Sequence, residues 1–222
     1  RDGFSTTGKI LFALAGALPA LGNAQPAEWG EPVPVEGVAG GCPIETRDAK
    51  SLYVASGALG TLDINVYERE NRQAPFEGPT RAEFPVSSDL ADDFCPTPLP
   101  GAYLLFVSDR DLPGACGGAD IYVTRYRPGA SFNWNEALNL GCATFGPNTP
   151  GTELSPALVT LQRGAFLYYS SNVDGDQDLY RSTLFPDGRY SRGRPVEELN
   201  TESDDRQPNV RRDGLEIVFA SN

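Results

Sequence analysis

Internal repetition constrains this chain more than any other feature, because a repeat of fixed period dictates an array of like units. Four short runs rich in β-branched and aromatic residues end in small polar residues: SLYVAS at Ser56, LLFVSD at Asp109, LYYSSN at Asn172 and EIVFASN at Asn222. A second element follows the first three: DINV from Asp63, DIYV from Asp120 and DLYR from Asp178, 57 and 58 residues apart. About ten residues before each aromatic run a proline opens another short segment, at Pro43, Pro96, Pro156 and Pro208. A weaker fourth element reads WGEPVPV from Trp29, WNEALNLG from Trp134 and GRPVEELN from Gly193. In DIYVTRYR the side chains alternate, Ile121, Val123 and Arg125 on one side and Tyr122, Thr124 and Tyr126 on the other, which is strand periodicity. Four strands per unit, with Gly, Asp and Asn in the turns, describe a propeller blade. A blade cannot bury both faces alone, so each needs a neighbour.

The expected fold is therefore all-β: a β-propeller of four-stranded antiparallel blades, incomplete, with about three and a half blades in residues 25–222. On this plan Tyr53, Phe106, Tyr169 and Phe219 pack between blades. The alternating aromatic strand, Gly/Asp turn and Asp-Ile/Leu-Tyr strand resemble the TolB-like (WD40-like) propeller repeat, most closely in SSNVDGDQDLYRSTLFPDG, Ser170 to Gly188. The resemblance covers roughly residues 29–222, with Asn65 where the pattern has Tyr. It implies an interaction scaffold rather than a catalyst.

Residues 10–21, ILFALAGALPAL, follow Lys9 and precede Gly22, Asn23 and Ala24. A charged start, a short apolar core and a small-residue exit form a secretory signal, here 1–24, too short for an ordinary membrane span of about 20 residues. The expectation is a periplasmic or secreted protein with no stable membrane insertion after cleavage. The formal charge of −12 repels phosphate backbones and argues against nucleic acid as a partner. Cys42, Cys95, Cys116 and Cys142 are an even set suited to disulfides in an exported chain. Three pairings are possible. Shared membership of a blade favours Cys95 with Cys116, leaving Cys42 with Cys142.

The chain has no His, which removes the commonest general base and transition-metal ligand. No cofactor is expected. Asp174, Asp176 and Asp178 in NVDGDQD resemble the start of a calcium loop, but no downstream Glu completes it, and a hydrogen-bonded turn is the expected reading. Asp63, Asp120 and Asp178 recur at one blade position and are expected to cap their own turns. Arg110, beside Asp109 and Asp111, is expected to form a surface ion pair of little value.

Function is expected to be a protein-protein interaction or ligand-binding scaffold in the cell envelope, engaging another envelope or secreted protein, with the balance away from an enzyme. The alternative is a propeller-type carbohydrate-active enzyme, a glycosidase or lyase, using paired carboxylates, or an accessory propeller of a hydrolase encoded downstream.

Overall fold

A computed structural model describes residues 31, 33–127, 133–142 and 145–222. The signal segment 1–24 and, of the Trp29 segment, Trp29, Gly30 and Pro32 lie outside these residues. The blades fall within the compact unit Val35–Asn222.

Three four-stranded antiparallel sheets follow one another along the chain. The first holds β1 (Gly41–Glu45), β2 (Ser51–Ser56), β3 (Asp63–Glu68) and β4 (Glu77–Arg81). The second holds β5 (Asp93–Leu99), β6 (Tyr103–Ser108), β7 (Asp120–Arg125) and β8 (Leu138–Asn139). The third holds β9 (Glu153–Leu161), β10 (Gly164–Ser171), β11 (Asp178–Leu184) and β12 (Arg194–Pro195). A two-stranded sheet, β13 (Asp205–Val210) with β14 (Ile217–Ser221), begins the next unit. The proline strand is innermost, and the aromatic and Asp-aliphatic strands follow outward in chain order. The Trp134 and Gly193 segments form the outer strands β8 and β12. In the first blade the outer strand is EGPTR, which the repeat pattern passed over.

Alternation sends neighbouring side chains of one strand into different interfaces. Leu104 and Phe106 join Ile64, Ala82 and Val86 of the first blade, with Phe106 stacked on Tyr122 at 5.8 Å. Leu105 and Val107 face the other way, onto Leu167, Tyr169 and Tyr180 of the third blade. Phe106 and Tyr169 are completely buried, whereas Tyr53 is only partly covered. Each fully buried large side chain contributes about 1.5–3 kcal/mol, so the blade-to-blade interfaces are the core.

Neighbouring blades are also joined through backbone. The first amide of each inner strand donates to the residue just before β3, β7 or β11: Asp93 N to Leu62 O at 2.8 Å, Glu153 N to Ala119 O at 2.9 Å and Asp205 N to Gln177 O at 2.6 Å. A polar side chain in each connection between blades then serves both backbone groups of the next residue but one. Ser87 serves Ile64, Asn148 serves Ile121 and Asn200 serves Leu179, each accepting from N–H and donating to C=O at 2.8–3.2 Å.

Candidate functional site

The inner strands β1, β5, β9 and β13 line a groove of about 1500 Å³. Each inner strand is bent by a bulge where the residue before the proline adopts positive φ: Cys42 at 46°, Cys95 at 46°, Ser155 at 52° and Gln207 at 55°. Pairing to the second strand is interrupted at this point in every blade. L-residues seldom take this conformation, and its repetition at one position marks it as part of the blade design.

Cys42 and Cys95 occupy that bulge position in adjacent blades and are joined as a disulfide, while Cys116 is joined to Cys142. The expected pairing Cys95–Cys116 and Cys42–Cys142 is thus corrected. Equivalent positions on neighbouring inner strands face each other across the groove wall. The turn holding Cys116 instead lies beside the segment leaving β8, on the same end of its own blade. The Cys95 sulfur also lies 3.3 Å from Ser155 Oγ, the corresponding residue of the third blade.

Three residues before the proline stands a carboxylate: Asp93, Glu153 and Asp205, none with any exposure. In the sequence the prolines are the plainer repeated signal, and the D/E-x-x-P spacing that carries these acids lies beside it. Glu153 accepts hydrogen bonds from the hydroxyls of Ser171 and Thr149, both at 2.6 Å, and from Thr149 N at 2.9 Å. Burial outweighs these donors and pushes its carboxyl above the ordinary value. In the first blade Gly40 takes the place, and a Cβ there would lie 2.6 Å from Ala55 O.

Arg110 is not a surface residue but is 7% exposed. It donates to Asp93 at 2.5 Å, Ser108 Oγ at 2.8 Å, Pro85 O at 2.9 Å and Val86 O at 3.2 Å. Its guanidinium lies 5.1 Å from the Phe106 ring centroid and 5.2 Å from that of Tyr122. The expected weak surface pair is corrected: Arg110 bridges the connection leaving the first blade to the core of the second. Nothing in the order Asp-Arg-Asp signals this, because burial is set by the neighbouring blade.

The recurrent acids differ in environment. Asp120 accepts from Cys116 N at 2.7 Å and Asn139 Nδ2 at 2.8 Å, capping its turn, and burial raises its carboxyl. Asp63 pairs with Arg81 at 2.7 Å. Asp174 accepts from the Tyr180 hydroxyl at 2.5 Å, which turns it toward the blade. Asp178 stands at the start of β11, its carboxyl raised by burial and then by the charges of Asp176, Asp205 and Asp174. Among the described residues, no cluster of three His, Cys, Asp or Glu has metal-holding geometry.

None of these buried acids lines the groove. Its two carboxylates are Glu45 and Asp48, on the segment Glu45-Thr46-Arg47-Asp48 where β1 leaves the groove. Glu45 is held by Arg69 at 2.5 Å, and Arg69 is itself fixed by Ala49 O at 2.7 Å and by the Phe76 ring at 4.2 Å. Asp48 accepts from the Thr46 hydroxyl at 2.8 Å and from Lys50 N at 3.1 Å, and these donors hold its carboxyl below the ordinary range.

No family model matches this chain, and no curated protein does. The fold is similar to that of an endo-arabinase from Bacteroides thetaiotaomicron VPI-5482, at 15% identity and a TM-score of 0.56, covering 81% of this chain and 68% of that one. It is similar also to a thermostable family-43 glycoside hydrolase, at 12% identity and a TM-score of 0.53, covering 81% and 64%. The balance away from an enzyme is corrected by these similarities. Both named propellers are enzymes, and the missing His does not weigh against glycoside chemistry, which runs on carboxylates. The alternative reading, a carbohydrate-active propeller, is the better supported. At these identities the comparison establishes the fold: an incomplete β-propeller built of four-stranded antiparallel blades.

Proposed function

We propose that the chain is part of an exported carbohydrate-active propeller in which a glycan lies in the groove between the inner strands. The observation carrying this reading is the division of the acids. Asp93, Glu153 and Asp120 are committed to the blades, while Glu45 and Asp48 face the groove. Glycoside hydrolysis needs one carboxyl to protonate the leaving oxygen and one to act as base or nucleophile. Glu45 and Asp48 are the two groove carboxyls available for these parts, and Asp48, held ionised by its donors, suits the second. The propellers named above support this chemistry for the fold. The repeated Asp-Ile/Leu-Tyr strands support a TolB-like ancestry for the blades, and two disulfides fit a periplasmic or secreted location.

The test is release of reducing ends from arabinan and from a panel of neutral and acidic polysaccharides by the full chain. Glu45→Gln and Asp48→Asn should each lower turnover by about 100-fold or more. Turnover undiminished in both variants, or no release from any glycan, overturns the reading.

A further inference from the structure

Chain topology sorts the loops into two sets at opposite ends of the blades. One end carries the connections from first to second strand and from third to fourth. The other carries the turns from second to third strand and the crossings between blades. From β1 onward, the first set holds ten Arg and Lys against six Asp and Glu, and the second holds one Arg against eleven acids. The single cation of the second set is the buried Arg110. A chain of net charge −12 thus has an end of reversed sign, and the groove opens there.

Arg47, Arg211 and Arg212 line the groove at this end, from the first and last of its four walls. Arg211 is satisfied internally, by Asp213 at 2.9 Å and Glu216 at 2.7 Å. Arg47 and Arg212 are exposed and take part in none of the ion pairs among the described residues. Arg72, Arg127, Arg163 and Arg192 are also exposed on this end and outside those ion pairs, but none of them lines the groove, so Arg47 and Arg212 are set apart by their place. Two guanidinium groups outside those ion pairs, lining one cleft from its first and last walls, suit an extended anion, since each can hold a carboxylate or sulfate through two parallel hydrogen bonds.

We infer that the groove takes an anionic saccharide, bearing uronate or sulfate groups, with Arg47 and Arg212 as the groups that recognise the charge. This rests on the proposed glycan site and names its ligand class.

The experiment is titration calorimetry of the full chain with oligogalacturonate, a sulfated oligosaccharide and a neutral arabino-oligosaccharide of matched length, at low and high salt. One anionic probe should bind with unit stoichiometry at least about tenfold more tightly than the neutral one, with the advantage shrinking as salt rises. The probe that binds identifies whether uronate or sulfate is read. Arg47→Ala/Arg212→Ala should abolish the preference, whereas Arg189→Ala, on the same end but outside the groove, should retain it. Equal affinity for charged and neutral probes, or a preference surviving the double variant, overturns the inference. Neutral binding without anionic preference leaves the glycan site standing and removes only this step. Anionic binding without cleavage keeps this step and removes the catalysis.

Discussion

At the scale of single residues the acidic character of this chain has two different meanings. Asp93 with Arg110 is a buried, fully hydrogen-bonded ion pair. Removing one member leaves the other charge buried alone, which costs about 3–5 kcal/mol. Arg110→Met should therefore lower stability by that order in chemical denaturation, and adding Asp93→Asn should recover part of the loss. Glu153 has no cation among its partners, and its raised carboxyl carries a pH signature. Between its ordinary value of 4.5 and the raised folded value, the folded state holds a proton that the unfolded state releases. Stability then falls as pH rises through that window and is fully present below it. Glu153→Gln should flatten this part of the profile, so denaturation curves of variant and parent measured from pH 4 to 7 should separate only above about pH 4.5. Curves that stay parallel throughout would show that Glu153 is not the group responsible.

At the scale of strands and turns, much was legible beforehand. SLYVAS coincides with β2, DIYV opens β7 and DLYR opens β11, because alternation and turn chemistry are local. The outer strand β4, EGPTR, is exposed at every residue and carries no apolar pattern to read. The disulfide partners were misjudged because pairing depends on which equivalent positions become neighbours in space, and membership of one blade is a poorer guide than equivalence across two. The groove acids Glu45 and Asp48 carry no repeat and so gave no signal. The crossing segments held a further concealed regularity, the side chain that serves Ile64, Ile121 or Leu179. Asn148 is completely buried, so Asn148→Leu should strand the N–H of Ile121, whose C=O keeps the Leu140 amide, and cost on the order of 1–3 kcal/mol. Gly117 tests the closeness of adjacent blades. A Cβ there would sit 2.4 Å from Thr149 O, backbone that cannot swing aside. Gly117→Ala should lower the melting temperature by the equivalent of about 1–3 kcal/mol.

At the scale of the molecule, β14 pairs on one side with β13 and has no second partner among the described strands. Val218 on this strand is 55% exposed and Leu215 beside it 80%. Such an edge recruits another strand. A polypeptide limited to residues 25–222 should therefore sediment as a concentration-dependent mixture of monomer and larger species, and Val218→Lys should shift it toward monomer. A single monomeric boundary for the parent at all concentrations would contradict this.

The hydrogen bond that each inner strand donates to the preceding blade has a geometric corollary. Leu62, Ala119 and Gln177 receive it at nearly the same distance, so every step from one blade to the next begins with the same contact. Asp92 and Asp204 add a side-chain clasp at two of these joints, accepting from Leu62 N at 2.7 Å and Gln177 N at 2.9 Å. A fixed contact repeated between like parts amounts to a fixed rotation, and a fixed rotation divides a circle into a set number of sectors. The turn from one blade to the next is thus written in part into the reach of one backbone amide, in the way the curve of an arch is cut into each of its stones.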